Sequence, residues 1–506
     1  MKLTRIVSLA LLTGAFIFQN AAIGYPVHRP ARTTPVAPEG NYTVHPDQTK
    51  QVIQGIGFEI QSDSIASGNK GLPEEFTSVP HDLTPEERTR FYNEMLKGFR
   101  FVRLAGGLYW RGLTPDQKNF QGRWPEQLPE LKEMVQTAGI EGVEFEYWSP
   151  APFWKASGKL DGHGRTFDNN RLRCFVKEFK DDPIYHGDKG RFLADFAQAC
   201  VKDVQTLKDA GLPVTIWGLQ NEPFANTPYS SCIYGLSEYQ KTFLAVAPEL
   251  RKLDPKIKLI ADTGCDWKFP WIRPVLQNPA TASLVDYLVI HHVGTDSNAD
   301  MQPPDISGKP RFQNEYEYLD GPTSPDRCLN TAQDIMNWFQ VSEAPIWYWI
   351  HALKPLGNSE GSGYSLGFWR PQNGAPGLGG EKFKDLQPGH WTYNNYNWFA
   401  VGSFVKHMPW DCQAVAVDEE VRDNDLRILA FKKPDGKLTV VLSNRSGKPH
   451  AFHVNTGLDG AQFKGWRYTP TDAGTNCQGV EIPDQLSGGT ISPQLQDRTW
   501  EFWEQQ

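Results

Sequence analysis

The sequence predicts a (β/α)8 barrel with an antiparallel β-sandwich attached to it. Three observations carry the prediction. Eight short β-rich runs recur between residues 55 and 351. Longer amphipathic stretches lie between several of them. Beyond residue 400 the helical stretches give way to strand–turn–strand patterning. Strand and helix alternating over such a length define a parallel α/β architecture, and eight repeats close a barrel. The length of 506 residues suits one large barrel and a smaller domain better than one ordinary domain.

The elements follow in order. Lys2 and Arg5 precede a short apolar stretch, Ile6 to Phe18, and Ala21, Ala22 and Gly24 offer small residues for cleavage. Residues 1–24 therefore read as a signal peptide, because the stretch is shorter than the roughly 20 residues a membrane span needs. The mature protein is expected to be secreted or periplasmic, with no stable membrane insertion. Residues 25–40, rich in Pro, Ala, Thr and Arg, read as a linker. Residues 41–53, NYTVHPDQTKQVI, alternate like a strand that packs on the C-terminal domain.

The barrel is expected over residues 54–403. Its candidate strands are 55–60, 99–106, 142–149, 213–220, 257–262, 286–292, 309–316 and 344–351. Helices are expected over 85–99 after a Thr cap, over 191–211 up to Gly211, and over 237–254. Residues 293–308, between the sixth and seventh strands, are rich in Pro, Asp and Ser and carry no clear helix. Residues 352–395 read as a long loop whose aromatics, among them Tyr364, Phe368, Trp369 and Trp391, are expected to wall a cleft; Arg370 reads as a surface residue. Residues 404–506 are expected to form the β-sandwich, with Pro434-Asp435-Gly436 as a turn.

Composition narrows the function. The net charge is −8 and no basic run interrupts it, which argues against a nucleic-acid partner. Aromatic residues make up 12% of the chain, including 17 Trp. Most serve packing, and the remainder are candidates for stacking on sugars. Seven cysteines include no C-x-x-C pair, and their odd number leaves at least one without an intrachain partner. No His/Asp/Glu cluster has ligand spacing, so no metal and no other cofactor is expected. Asn41 and Asn444 stand in N-x-S/T sequons.

Active residues of such a barrel sit at the C-terminal ends of its strands. The fourth strand ends in Gln220-Asn221-Glu222-Pro223 and the seventh in Gln313-Asn314-Glu315-Tyr316. A lone Glu at a strand end is ordinarily a solvated or salt-bridged residue. Two of them on opposite strands of one barrel mouth are placed to flank a glycosidic bond. Glu317 shares a face with Glu315 but lies beyond the strand body.

Several segments in order resemble glycoside hydrolase family 30 over most of residues 50–470. They are W-S-P-A-P-F-W-K-A-S-G (148–158), L-Q-N-E-P (219–223), P-Y-S-S-C-I-Y (228–234) with the helix after it, and 396–415. The resemblance implies a hydrolase of β-linked glycans or glycosides that retains anomeric configuration. It makes Glu222 the acid/base and Glu315 the nucleophile, and it places 41–53 in the same sandwich as the C-terminal strands. It implies that Asn221 binds the sugar 2-hydroxyl, that Arg103 lies beside the nucleophile and that Asp63 grips sugar hydroxyls. Trp148 and Trp349, ending the third and eighth strands, are candidate walls of the sugar pocket, and one of His291 and His292 is a candidate substrate contact. The chain departs from the family pattern at Val293, where an aromatic is usual, and at Gly57-Phe58-Glu59-Ile60, where a glycine-rich run is usual. The sugar therefore stays open. A non-catalytic carbohydrate-binding barrel and a transglycosylase are the alternatives.

Overall fold

A computed structural model of the chain describes residues 40–60, 82–162, 168–265, 272–292, 297, 308–316, 323–356, 365–372, 379–420 and 422–506. The expected signal peptide, nearly all of the linker, Asp63, Val293, Glu317 and Tyr364 lie outside them, as does most of 293–308.

All eight expected barrel strands form. They are β2 (Gly55–Ile60), β3 (Phe101–Gly106), β4 (Gly142–Tyr147), β5 (Val214–Gly218), β6 (Lys258–Cys265), β7 (Tyr287–His291), β8 (Arg311–Glu315) and β9 (Ile346–Trp349). They close in chain order, each parallel to its neighbours, with β9 returning to β2. Strands of such a barrel are buried on both faces, so they read as near-continuous apolar runs. Charged residues inside β2, β3 and β4 are exceptions to that rule, and all of them belong to the site described below.

The helices explain themselves locally. Thr84 caps α1 (Pro85–Arg90) by accepting from the Glu87 amide at 3.3 Å, with Pro85 at the first turn. The expected helix over 85–99 then widens into a π-helical turn over Phe91–Leu96. Further round come α2 (Gln127–Ala138), α3 (Lys189–Asp209) and α4 (Leu236–Leu253), then the short α5 (Ile272–Gln277) and α6 (Pro279–Leu284), and α7 (Pro325–Gln340). Asp188 caps α3, and Ser324 caps α7.

The expected long loop after β9 is instead a small sheet of β10 (His351–Pro355), β11 (Ser365–Trp369) and β12 (Trp391–Tyr393). Its aromatics are packed rather than presented to a cleft. Phe368 meets Phe383, the Trp369 indole donates to Asp82 at 3.1 Å, and Trp391 lies under the Arg90 guanidinium at 3.9 Å. Arg370 is partly exposed and donates to the Leu386 carbonyl at 3.2 Å, in keeping with its reading as a surface residue. Glycine, proline and asparagine disguised the strands, because their bends interrupt the alternation that marks a strand.

After α8 (Asn395–His407) comes a nine-stranded sheet. Its strands are β1 (Asn41–Ile53), β13 (Cys412–Glu419), β14 (Leu426–Lys432), β15 (Leu438–Asn444), β16 (His453–Asn455), β17 (Gln462–Tyr468), β18 (Val480–Ser487), β19 (Thr490–Ile491) and β20 (Thr499–Gln505). Their spatial order is β18-β17-β20-β15-β14-β13-β1-β16-β19. Only the β1–β16 pair is parallel, so the domain is antiparallel as expected, and β1 sits inside it between β13 and β16.

Strand β14 is buried on both faces. Leu426, Ile428 and Ala430 join the sandwich core, while Leu429 and Phe431 join the barrel core. Between them Arg427 forks onto Glu419 at 2.8 and 2.9 Å and donates to Asn337 of α7 at 2.8 Å. Helix α7 is itself buried all round from Cys328 to Gln340, and its polar residues serve the sheet. Gln340 accepts from the Ala430 amide, and Gln333 donates to Ser443.

Asn444 is fully buried, and its amide donates to the carbonyls of Lys448 and Leu495, so the folded protein does not present that sequon. Cys174, Cys200, Cys232, Cys328, Cys412 and Cys477 are buried free thiols. No described helix is long and apolar enough to cross a membrane.

Candidate active site

The site grows from β3. Arg103 is completely buried, and a guanidinium taken out of water must be met by carboxylates and hydrogen bonds. Its neighbours in register are Glu59 on β2 and Glu144 on β4. Glu59 binds the Nη1 end of the fork. Glu144 lies 3.6 Å from Nε. Two residues further along β4, Glu146 accepts from Nε at 3.2 Å and from Nη2 at 2.5 Å with a single oxygen. From β8, Glu315 accepts from Nη1 at 2.8 Å. From the end of β5, Asn221 accepts from Nη2 at 2.6 Å. One face of the guanidinium lies over the Trp148 ring at 4.3 Å.

Charge follows from this geometry. Burial alone lowers the basicity of Arg103, but Glu59, Glu146, Glu315 and Glu144 outweigh it and the net shift is upward. Glu144 is pushed up to about 7, first by burial and then by Glu146, against the opposing pull of Arg103. It accepts from Asn314 at 2.7 Å. One guanidinium cannot neutralise four carboxylates, and the most deeply enclosed of them keeps its proton toward neutral pH.

His291 ends β7 and pairs in register with Glu315. Its Nε2 is 3.4 Å from Glu315, and its Nδ1 is 3.3 Å from Glu222. Burial lowers the His291 pKa, but Glu315 and Glu222 outweigh burial and the net shift is upward. The imidazole therefore joins the two expected catalytic carboxylates. His292 points the other way, to Asp334 at 2.7 Å and under the Trp338 indole, where it packs the barrel against α7. Of the two histidines, His291 is the one in the site.

Glu222 adopts a left-handed backbone, φ +44°, which is unfavourable for a residue with a Cβ. Neighbouring strands hold it there. The Glu222 amide donates to the Thr263 carbonyl at 3.0 Å, and the Asn221 amide donates to the Tyr147 carbonyl at 2.7 Å. Strain of this kind collects where a side chain must be aimed.

The expected residues Glu222, Glu315, Asn221, Arg103, Trp148 and His291 are thus gathered at one barrel mouth. Trp349 is fully buried against Tyr316 and Trp347. Its indole N–H meets no acceptor among the described residues. Glu59, Glu144, Glu146, Thr263 and Asn314 were not anticipated from sequence. For the three glutamates the sequence offers a signal without a role: carboxylates at 59, 144 and 146 interrupt strands that should be apolar throughout. No described cluster of His, Cys, Asp or Glu is arranged to hold a metal ion.

The fold and the mouth define a barrel-and-sandwich protein whose buried carboxylates gather around one arginine at the barrel mouth. Residues 413–470 match the glycosyl hydrolase family 30 β-sandwich domain, which bears out the family resemblance in that domain. The fold is shared with the catalytic domain of family 30 xylanase C from Talaromyces cellulolyticus (TM-score 0.67, 15% identity, 92% of this chain and 100% of that one). It is shared too with a family 30 subfamily 8 xylanase from Clostridium acetobutylicum (0.63, 15%, 92% and 99%). An endo-β1,6-glucanase is similar (0.62, 16%, 93% and 94%). No curated protein sequence matches the chain.

Proposed function

We propose that this protein hydrolyses β-glycosidic bonds of a glycan or glycoside with retention of anomeric configuration. The observation that carries the reading is the contrast between Glu222 and Glu315. Both touch His291, but Arg103 grips Glu315 directly. A permanent cation at 2.8 Å pairs with the carboxylate that is placed to attack as the nucleophile. Glu222 is then the group that exchanges a proton.

In the first step a Glu315 oxygen attacks the anomeric carbon while Glu222 protonates the departing glycosidic oxygen. In the second, Glu222 takes a proton from water, which displaces Glu315 from the sugar. Asn221, already oriented by Arg103, is the expected partner of the sugar 2-hydroxyl. The basic, apolar and small-residue order of the first 24 residues supports export as the setting of this activity. Xylan and β-1,6-glucan come first among substrates to screen, since fold neighbours are named for them.

The test is a screen of β-linked polysaccharides and aryl glycosides with product anomers followed by NMR. On the substrate it identifies, Glu315→Gln is expected to leave no measurable turnover. Glu222→Gln is expected to slow substrates with poor leaving groups by roughly 100-fold or more and to still glycosylate from an activated aryl glycoside. Near-normal rates in both variants, or an inverted product, would defeat the assignment.

A further inference from the structure

We infer that Glu146 is a positioning residue that couples the two catalytic carboxylates, aiming Arg103 at Glu315 with one oxygen and Thr263 at the backbone of Glu222 with the other. The inference rests on the reaction proposed above and adds to it a residue that does not touch the reacting atoms.

The geometry links five strands, β3 to β6 and β8. Glu146 is 1% exposed at the end of β4. Its Oε2 accepts both Nε and Nη2 of Arg103, which fixes the plane of the guanidinium and turns Nη1 to Glu315. Its Oε1 accepts from the Thr263 hydroxyl at 2.6 Å. Thr263 holds the strained end of β5 through its carbonyl, which accepts from the Glu222 amide at 3.0 Å. The neighbouring strand leaves room for this carboxylate by having no side chain there: a Cβ on Gly218 would stand 2.8 Å from Glu146 Oε1. A residue serving only the core has no need to meet the nucleophile's cation and the acid/base strand at once.

Electrostatics gives the inference a distinctive readout. Arg103 divides one positive charge among Glu59 from β2, Glu146 and Glu144 from β4, and Glu315 from β8. His291 faces Glu315 from β7 with Glu222 beyond it, Tyr348 of β9 adjoins Glu144, and on β10 Lys354 stands near His351, whose pKa burial and Lys354 push well down. Replacing Glu146 by the isosteric glutamine removes one negative charge beside Arg103 while keeping the shape of the side chain. More of the guanidinium field then falls on Glu315, and its carboxylate attacks more weakly.

The experiment is the pH profile of Glu146→Gln on an activated aryl glycoside that the wild type cleaves. Expected are a fall in kcat of roughly tenfold or more with KM little changed, and an acidic limb of kcat/KM displaced downward by about half a pH unit or more. A folded variant whose acidic limb is unmoved or displaced upward overturns the inference. If Glu146→Gln does not fold, Thr263→Val decides, because it keeps every charge and removes the hydroxyl that Glu146 accepts. It is expected to lose kcat with KM retained, and Thr263→Ser to restore it. A Thr263→Val enzyme with wild-type kcat overturns the inference. Turnover retained in Glu315→Gln is a separate result, and it defeats the parent assignment rather than the coupling.

Discussion

Asp203 keeps its proton far above the usual range because burial raises its pKa from 3.8 to about 7, against the hydrogen bonds from Asn119, Phe120 and Tyr147 that oppose the rise. The Tyr147 bond ties α3 to the end of β4, one residue beyond Glu146, and the other two tie it to the segment at Asn119 and Phe120. The native state therefore binds a proton that the unfolded chain releases between those two values. A carboxyl group with a raised native pKa contributes stability that is complete below 3.8 and is lost as pH rises toward about 7. Asp203→Asn is expected to fold and to flatten this dependence. Its loss of Tm between pH 4 and 7.5 should be smaller than that of wild type by roughly 2 °C or more, measured by calorimetry in matched buffers; an unchanged slope would count against a protonated Asp203. At this scale Glu222 and Glu315 were legible in sequence because strand ends are predictable. Glu146 and Glu144 were not, since period-two alternation puts them on the barrel's inner face without saying which cation they meet.

Among the elements, β14 and α7 do the joining. Arg427 is the only arginine of β14, and it reaches both Glu419 on the neighbouring strand and Asn337 on the helix. Arg427→Ala leaves Glu419 without its bidentate partner beside a buried interface, at an expected cost of about 3–5 kcal/mol in denaturant unfolding. Arg427→Lys keeps the charge but not the fork, so its loss should be smaller. A cost for the alanine variant below 1 kcal/mol, roughly that of an exposed pair, would show that the contact is dispensable. The eight barrel strands could be read from sequence because parallel strands are apolar runs between helical stretches. The three strands after β9 could not, since small and bent segments separate them and the aromatics that resemble a cleft wall are their packing.

For the whole molecule, the two domains share a core. Leu429, Phe431, Trp500 and Phe502 of the sheet are buried with residues of α7 and α8, and the Trp500 indole donates to Ser403. Neither part retains a complete apolar face alone. Thermal unfolding is expected to be one calorimetric transition, and a chain ending at Asp411 is expected to aggregate instead of yielding a soluble barrel. Two resolved transitions, or a soluble and active truncated chain, would mean the domains are independent. The sequence made both domains legible and hid how they join, because polar residues such as Gln333, Asn337 and Gln340 look like a solvated helix face until the sheet lies against them. The place of β1 has a consequence in time. A ribosome makes this strand before the barrel, yet both strands that flank it, β13 and β16, are made only after the entire barrel. The sheet cannot close vectorially as the chain emerges. It must wait for its last partners with its oldest strand still unsatisfied, so a chain halted anywhere before β13 carries an open edge ready to pair with another nascent copy.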